Sequence, residues 1–287
     1  MQSILEVSGL NKRFAAFSLE NVTFEMPTGF IMGFIGPNGA GKTTTIKTIL
    51  NMINYQSGEI KIFGIDSKDN GDRIYEQIGV VMDTPFYADE WTAADVEAAV
   101  SPYYQHWNGE KYVCLLRQFA IDHKKKVKEL SRGMKVKLMI AVALSHDAKL
   151  LILDEPTSGL DPVARDELCE MLSEFVTDEN RSVLFSTHIT ADLEKIADYI
   201  TFILNGRIIF TGPKEDLLEN YVMVKGGLNE IDAQMKNLLI GLREHGTGFE
   251  GMIETANLNK LPGSLLAEPV TLDEIIIHMN RGAKTHA

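Results

Sequence analysis

Long apolar runs are what this chain of 287 residues has least of. No run approaches the roughly 20 apolar residues that a membrane-spanning helix needs. The opening M-Q-S-I-L-E-V also lacks the pattern of a secretory leader. The expectation is a chain that does not cross a membrane by itself. Cysteine is nearly missing: Cys114 and Cys169 stand alone, without metal-ligand spacing. That excludes a disulfide framework or a zinc cluster and leaves two reduced core thiols in a cytosolic protein. Positive charge is short, with 28 Lys and Arg against 40 Asp and Glu, a net charge of −12. Such a balance disfavours general binding to nucleic acid. Internal repeats, long linkers, low-complexity segments and sustained heptads are missing as well.

What is present is an ordinary globular balance, 45% apolar and 24% charged, long enough for one large or two modest domains. I-L-E-V-S and V-T-F-E-M alternate as half-buried strands do, and F-I-M-G-F-I reads as a buried one. A helix with Ile46, Ile49, Leu50 and Ile53 on one face follows and is expected to stop near Gly58. E-I-K-I-F-G and I-G-V-V-M-D are further strands, and residues 84–147 read as a helical subdomain. Strands L-L-I-L-D and S-V-L-F-S then alternate with helices over 162–178 and 190–198. Y-I-T-F-I-L-N-G-R-I-I-F-T-G reads as a hairpin turning on Asn205 and Gly206. The fold class is α/β: a mostly parallel sheet with an antiparallel β subdomain and a helical subdomain. Residues 1–220 form this main domain. Residues 221–287 form a small α/β module, with 229–245 read as helix and V-M-V-K-G, F-E-G-M-I and L-L-A-E-P as strands.

G-P-N-G-A-G-K-T, residues 36–43, matches the phosphate-loop pattern in full, between a buried strand and an amphipathic helix. Its glycines let backbone N–H groups turn inward toward phosphate oxygens, helped by the helix dipole. Gly36, Pro37, Asn38, Gly39, Ala40, Gly41, Lys42, Thr43 and Thr44 are the candidate nucleotide-binding residues. Lys42 reaches the β- and γ-phosphates, and the Thr43 hydroxyl is a candidate Mg²⁺ ligand. L-L-I-L-D-E-P ends an apolar strand in two acids. Asp154 is placed to hold Mg²⁺, and Glu155, pointing another way, to polarise an attacking water.

K-E-L-S-R-G-M-K-V-K-L, residues 128–138, reads as a helix start capped by Ser131. Its first turn carries Arg132 and Lys135 and no acid. Cations there oppose the macrodipole by about 0.3–1 kcal/mol each. The pattern suits a site awaiting an anion. With L-S-R-G-M, L-I-L-D-E-P, S-G-L-D (158–161) and S-T-H (186–188) in order behind the phosphate loop, the sequence resembles the nucleotide-binding subunit of an ABC transporter over residues 4–212.

The resemblance implies ATP and Mg²⁺ as ligands and an ATPase that works as a head-to-tail dimer, either a homodimer or a heterodimer with a related ATPase. It implies that His188 contacts the γ-phosphate, that Asp161 lies at the dimer seam, and that Phe14 occupies the adenine-stacking position, with Phe17 close by. Ser131, Arg132, Gly133 and Met134 would face the ATP of the partner. Two departures stand out. Asp83 replaces the family's usual Gln and is a candidate Mg²⁺ ligand, and the signature reads S-R-G-M rather than S-G-G-Q. A separate transmembrane permease is the implied partner, docking near Phe86, Tyr87, Trp91, Tyr103, Tyr104 and Trp107, and the implied location is the inner face of the cell membrane. Exporters of drugs, antimicrobial peptides or lipid-like molecules are the most similar members. Import, a soluble ABC protein acting on ribosomes or nucleic acid, and a self-contained phosphoryl-transfer enzyme are the rival readings.

Overall fold

The computed structural model describes residues 2–69, 71–84, 86–262 and 265–285. Two compact units divide at 211/212, rather than at the 220/221 read from the sequence. In the first, the strands are β1 (Ser3–Arg13), β2 (Ser18–Pro27), β3 (Ile31–Ile35), β4 (Ser57–Ile62), β5 (Ile65–Asp66), β6 (Ile78–Val81), β7 (Leu150–Asp154), β8 (Ser182–Thr187), β9 (Tyr199–Leu204) and β10 (Arg207–Pro213). Its helices are α1 (Lys42–Ile49), α2 (Gly71–Tyr75), α3 (Ala93–Val100), α4 (Gly109–Gln118), α5 (Arg132–Leu144), α6 (Pro162–Phe175) and α7 (Thr190–Ile196).

A six-stranded sheet runs β10-β9-β3-β8-β7-β6, parallel from β9 through β6. Every residue of β3, β7 and β8 is buried, which explains their unbroken apolar runs. A second, antiparallel sheet, β2-β1-β4-β5, presents alternating residues inward; Leu5, Val7, Leu10, Phe24 and Ile60 belong to the same core as Phe34 and Ile152. α1 stops at Ile49, well short of Gly58, because Asn51 turns to φ +52° and redirects the chain toward β4.

The helical subdomain is built from α3, α4 and α5. Thr92 and Asp95 form a reciprocal capping box on α3, and Asn108 caps α4. Tyr112 is fully buried, with its hydroxyl donating to the Ala93 carbonyl at 2.9 Å. Tyr104 stacks on His146 at 3.9 Å, and Trp107 packs on Tyr112 at 5.5 Å. Cys114 lies on the exposed side of α4, away from its buried face of Tyr112, Leu115 and Leu116, so only Cys169 is a core thiol.

The second unit holds α8 (Lys214–Glu219), β11 (Tyr221–Gly226), α9 (Ala233–Leu238), β12 (Ile240–His245), β13 (Gly248–Glu254), β14 (Leu266–Pro269) and α10 (Leu272–Thr285). Its antiparallel sheet runs β12-β13-β11-β14. α8 packs on β11, which is why the division precedes that helix. Within 229–245 the α-helix spans only 233–238, and residues 240–245 pair with β13 as a strand. Val224, Met235, Leu239, Phe249 and Ile253 form this unit's own core.

The β9–β10 hairpin turns where the sequence placed it: Asn205 and Gly206 take φ +49° and +77°. A Cβ on Gly206 would lie 1.8 Å from the Ser18 carbonyl oxygen. Gly206→Ala is therefore expected to destabilise the first unit by about 1 kcal/mol or more, read as a lower denaturant midpoint. An unchanged midpoint would refute that account of the turn.

Candidate functional site

Parallel register brings together motifs that are far apart in sequence. Ile35 at the end of β3 pairs with Thr187 of β8, and Asp154 at the end of β7 pairs with Ser186. The phosphate loop, the acidic pair and His188 therefore leave the sheet side by side at its carboxyl edge, where open α/β sheets bind ligands. β6 adds Asp83 two residues beyond its own end. A cleft of about 610 Å³ opens there, lined by Asn38, Gly39, Gly41, Lys42, Thr43, Thr44, Asp83, Arg132, Glu155, Ser158 and His188, with Ala16 and Phe17 at its side.

The loop is held open by backbone contacts. A Cβ on Gly36 would meet the Ile203 carbonyl oxygen at 2.2 Å, so only glycine lets the loop pass this close to β9. The Ala40 N–H donates to the Pro37 carbonyl, and the Ala40 carbonyl accepts from Gly206 N–H. Gly41 caps α1 with no side-chain cap hydrogen bond among the described residues, an arrangement that suits an anion at the helix's first amides. Lys42 is buried; its ammonium donates to the Gly36 carbonyl at 2.7 Å and lies 3.5 Å from Glu155 Oε1.

Asp154 and Glu155 are adjacent yet differently placed. Asp154 is fully buried, and burial pushes its carboxyl above the usual range, with the Thr43 and Ser186 hydroxyls offsetting part of the rise. Ser186 donates to Oδ1 at 3.1 Å, while buried Oδ2 has no hydrogen-bond partner among the described residues. Glu155 takes φ +52°, a strained value for a non-glycine residue. Its N–H donates to the Ser186 carbonyl and its carbonyl accepts from Ser158 N–H, which together fix the turn. The carboxylate then reaches His188: Oε2 lies 2.6 Å from Nδ1.

The signature residues lie elsewhere. Ser131 caps α5 by accepting from Met134 N–H at 3.2 Å. Ser131, Gly133 and Met134 share a second cleft, of about 230 Å³, with Asp161. Asp161 caps α6 through the amides of Val163 and Ala164, and these hold its carboxyl below the usual range. Arg132 borders both clefts.

Two expectations need correction. Arg132 is not an unanswered cation: its Nη2 donates to Asp83 Oδ1 at 2.5 Å and to Ser158 Oγ at 3.2 Å. Of the two cations in that turn, Arg132 is the one with an ion pair among the described residues. Phe14 is 44% exposed, its ring 6.5 Å from that of Phe17, and Phe17 rather than Phe14 lines the cleft.

Ser186 and Ser158 were not singled out from the sequence. Both sit inside quoted motifs, and Ser186 had a readable signal: a hydroxyl ending a buried apolar strand needs a partner. Ser158 had none, because its partner is set by the path of the Arg132 side chain.

Comparison with known proteins gives the family. The family model described as "ABC transporter" matches residues 19–158. The bacitracin transport ATP-binding protein of Bacillus licheniformis is 33% identical over 221 residues, 76% of this chain and 72% of that protein. The lantibiotic transport ATP-binding protein of Streptococcus pyogenes is 34% identical over 229 residues, 77% of this chain and 98% of its own length. A solved structure described as the ATP-binding subunit of an ABC transporter superposes with a TM-score of 0.69 at 32% identity, covering 75% of this chain and 92% of that one. Phosphate loop, buried acid, strained glutamate and histidine thus occur together in a chain that belongs to the ABC transporter family, as an ATP-binding, ATP-hydrolysing domain.

Proposed function

We propose that this chain powers a separate membrane permease that exports a peptide-like or drug-like cargo, through a head-to-tail dimer closed by ATP. The observation carrying the ATPase part is the convergence of Lys42, Glu155 and His188 on the one cleft that the phosphate loop lines. The reading of cargo and direction is supported by relatives whose names specify bacitracin and lantibiotic transport. No helix among the described residues is long and apolar enough to cross a membrane, which fits a partner on another polypeptide.

The chain's own residues supply the chemistry in this order. Loop amides and Lys42 bind and orient the phosphates. Glu155, held in one rotamer by the His188 ring and backbone N–H, takes the proton of the attacking water. Lys42, 3.5 Å away, keeps that carboxylate from repelling the nucleotide. The unpartnered Asp154 Oδ2 beside the Thr43 hydroxyl is an oxygen donor set that fits Mg²⁺. Thr43 and Asp154 would hold the ion, which when bound neutralises charge on the phosphates; the Asp83 oxygen bonded to Arg132 is already engaged.

For the permease, Phe86, Tyr103 and Trp91 are 69%, 82% and 39% exposed, while Tyr104 and Trp107 pack the subdomain. The exposed aromatics suit a groove for a short partner helix. The seam is assigned to Ser131, Gly133, Met134 and Asp161, and ATP drives closure only through its higher affinity for the closed dimer.

Glu155→Gln is expected to retain ATP binding, slow hydrolysis by roughly 10²–10⁴-fold and trap an ATP-bound dimer. Near-normal turnover would remove Glu155 from the mechanism. Lys42→Ala should weaken nucleotide affinity itself, measured with a fluorescent ATP analogue; an unchanged affinity would contradict the loop assignment. Ser131→Arg should leave ATP binding by the monomer intact and abolish the dimer seen by size exclusion in the Glu155→Gln background. Co-expression with a candidate permease, followed by scoring which peptides or drugs stimulate hydrolysis, tests the cargo reading.

A further inference from the structure

The cleft wall carries two acidic side chains, Asp83 and Glu155, and two basic ones, Lys42 and Arg132. Each acid faces one cation: Glu155 lies 3.5 Å from Lys42, and Asp83 lies 2.5 Å from Arg132. Arg132 belongs to the first turn of α5, remote in sequence from β6, yet its side chain crosses to the mouth of its own chain's cleft. Ser158 accepts a second hydrogen bond from the same Nη2, and the stem runs along Gly159, where a Cβ would stand 3.0 Å from Arg132 Cδ. The guanidinium is therefore held at two points and aims at Asp83 from one side.

We infer that Arg132 is a positioning residue for Asp83: it holds and neutralises that carboxylate at the wall of the cleft that receives the polyphosphate. Without the guanidinium, the wall would present an uncompensated negative charge to an anionic ligand. The pair is about half exposed on both sides, so it adds little to fold stability, and its effect falls on the ligand that shares the cleft. The inference also accounts for an acid at the wall of a cleft that receives an anion. An acid at 83 is tolerated because a base at 132 answers it in the same chain. It rests on the reading of the cleft as a nucleotide site.

The test is equilibrium binding of MgATP to the full-length chain, at low and at 0.5 M salt, for wild type, Arg132→Gln, Arg132→Lys, Asp83→Asn and the Asp83→Asn/Arg132→Gln pair. Arg132→Gln is expected to bind about two- to fivefold more weakly at low salt, the scale of an exposed ion pair. That deficit should shrink at high salt. Arg132→Lys, which keeps the charge, should recover most of the affinity, and the double variant should return to the wild-type value. Wild-type affinity in Arg132→Gln, or a double variant as weak as Arg132→Gln alone, would overturn the inference while leaving the nucleotide site standing. A wild-type chain that binds no MgATP would overturn the nucleotide reading itself.

Discussion

The in-register parallel pairing of β3, β8 and β7 is the constraint on which the rest depends. Asp154 opposite Ser186 and Ile35 opposite Thr187 place three strand ends at one height. A slip of one residue would turn Asp154 to the other face of the sheet and separate it from the Ser186 hydroxyl. Burial of both faces prevents such a slip, because apolar runs such as L-L-I-L would gain nothing from a shifted register while their polar ends would lose their partners. The site is thus a consequence of sheet packing rather than of loop shape alone.

On that foundation the neighbouring acids Asp154 and Glu155 have been made chemically different. Burial raises the Asp154 carboxyl and leaves one oxygen without a partner, which is costly unless something binds there. Glu155 escapes the same fate by its positive φ, which swings its side chain toward Lys42 and His188. Strain at one backbone position thus gives two adjacent carboxylates different surroundings. Two hydrogen bonds from the β8 and Ser158 segments hold that strain in place.

Much of this was legible in the sequence. The phosphate loop, the acidic strand end and the hairpin at Asn205 and Gly206 follow from local rules that admit few alternatives. The misreadings have physical causes. Residues 240–245 carry spacing that suits a helix, but pairing with β13 outweighed it. α1 ended early because a single left-handed residue, Asn51, outweighed the apolar repeat. Phe14 lost the cleft wall to Phe17 because the path between β1 and β2, which no periodicity encodes, decides which ring turns inward.

The charged start of α5 joins these themes. From sequence alone, Arg132 and Lys135 at a helix N-terminus are two cations opposed by the macrodipole. In the fold only Lys135 keeps that character, since Arg132 leaves the helix end and pairs with Asp83. A propensity rule assumes that a side chain stays near its own backbone. Arginine is long enough to break that assumption, and its planar fork can hold two acceptors at once. The charge at the head of the helix is therefore divided in its pairing. Arg132 answers an acid in its own chain, whereas Lys135 stays with the helix and Ser131 is spent on the cap, accepting from the Met134 N–H.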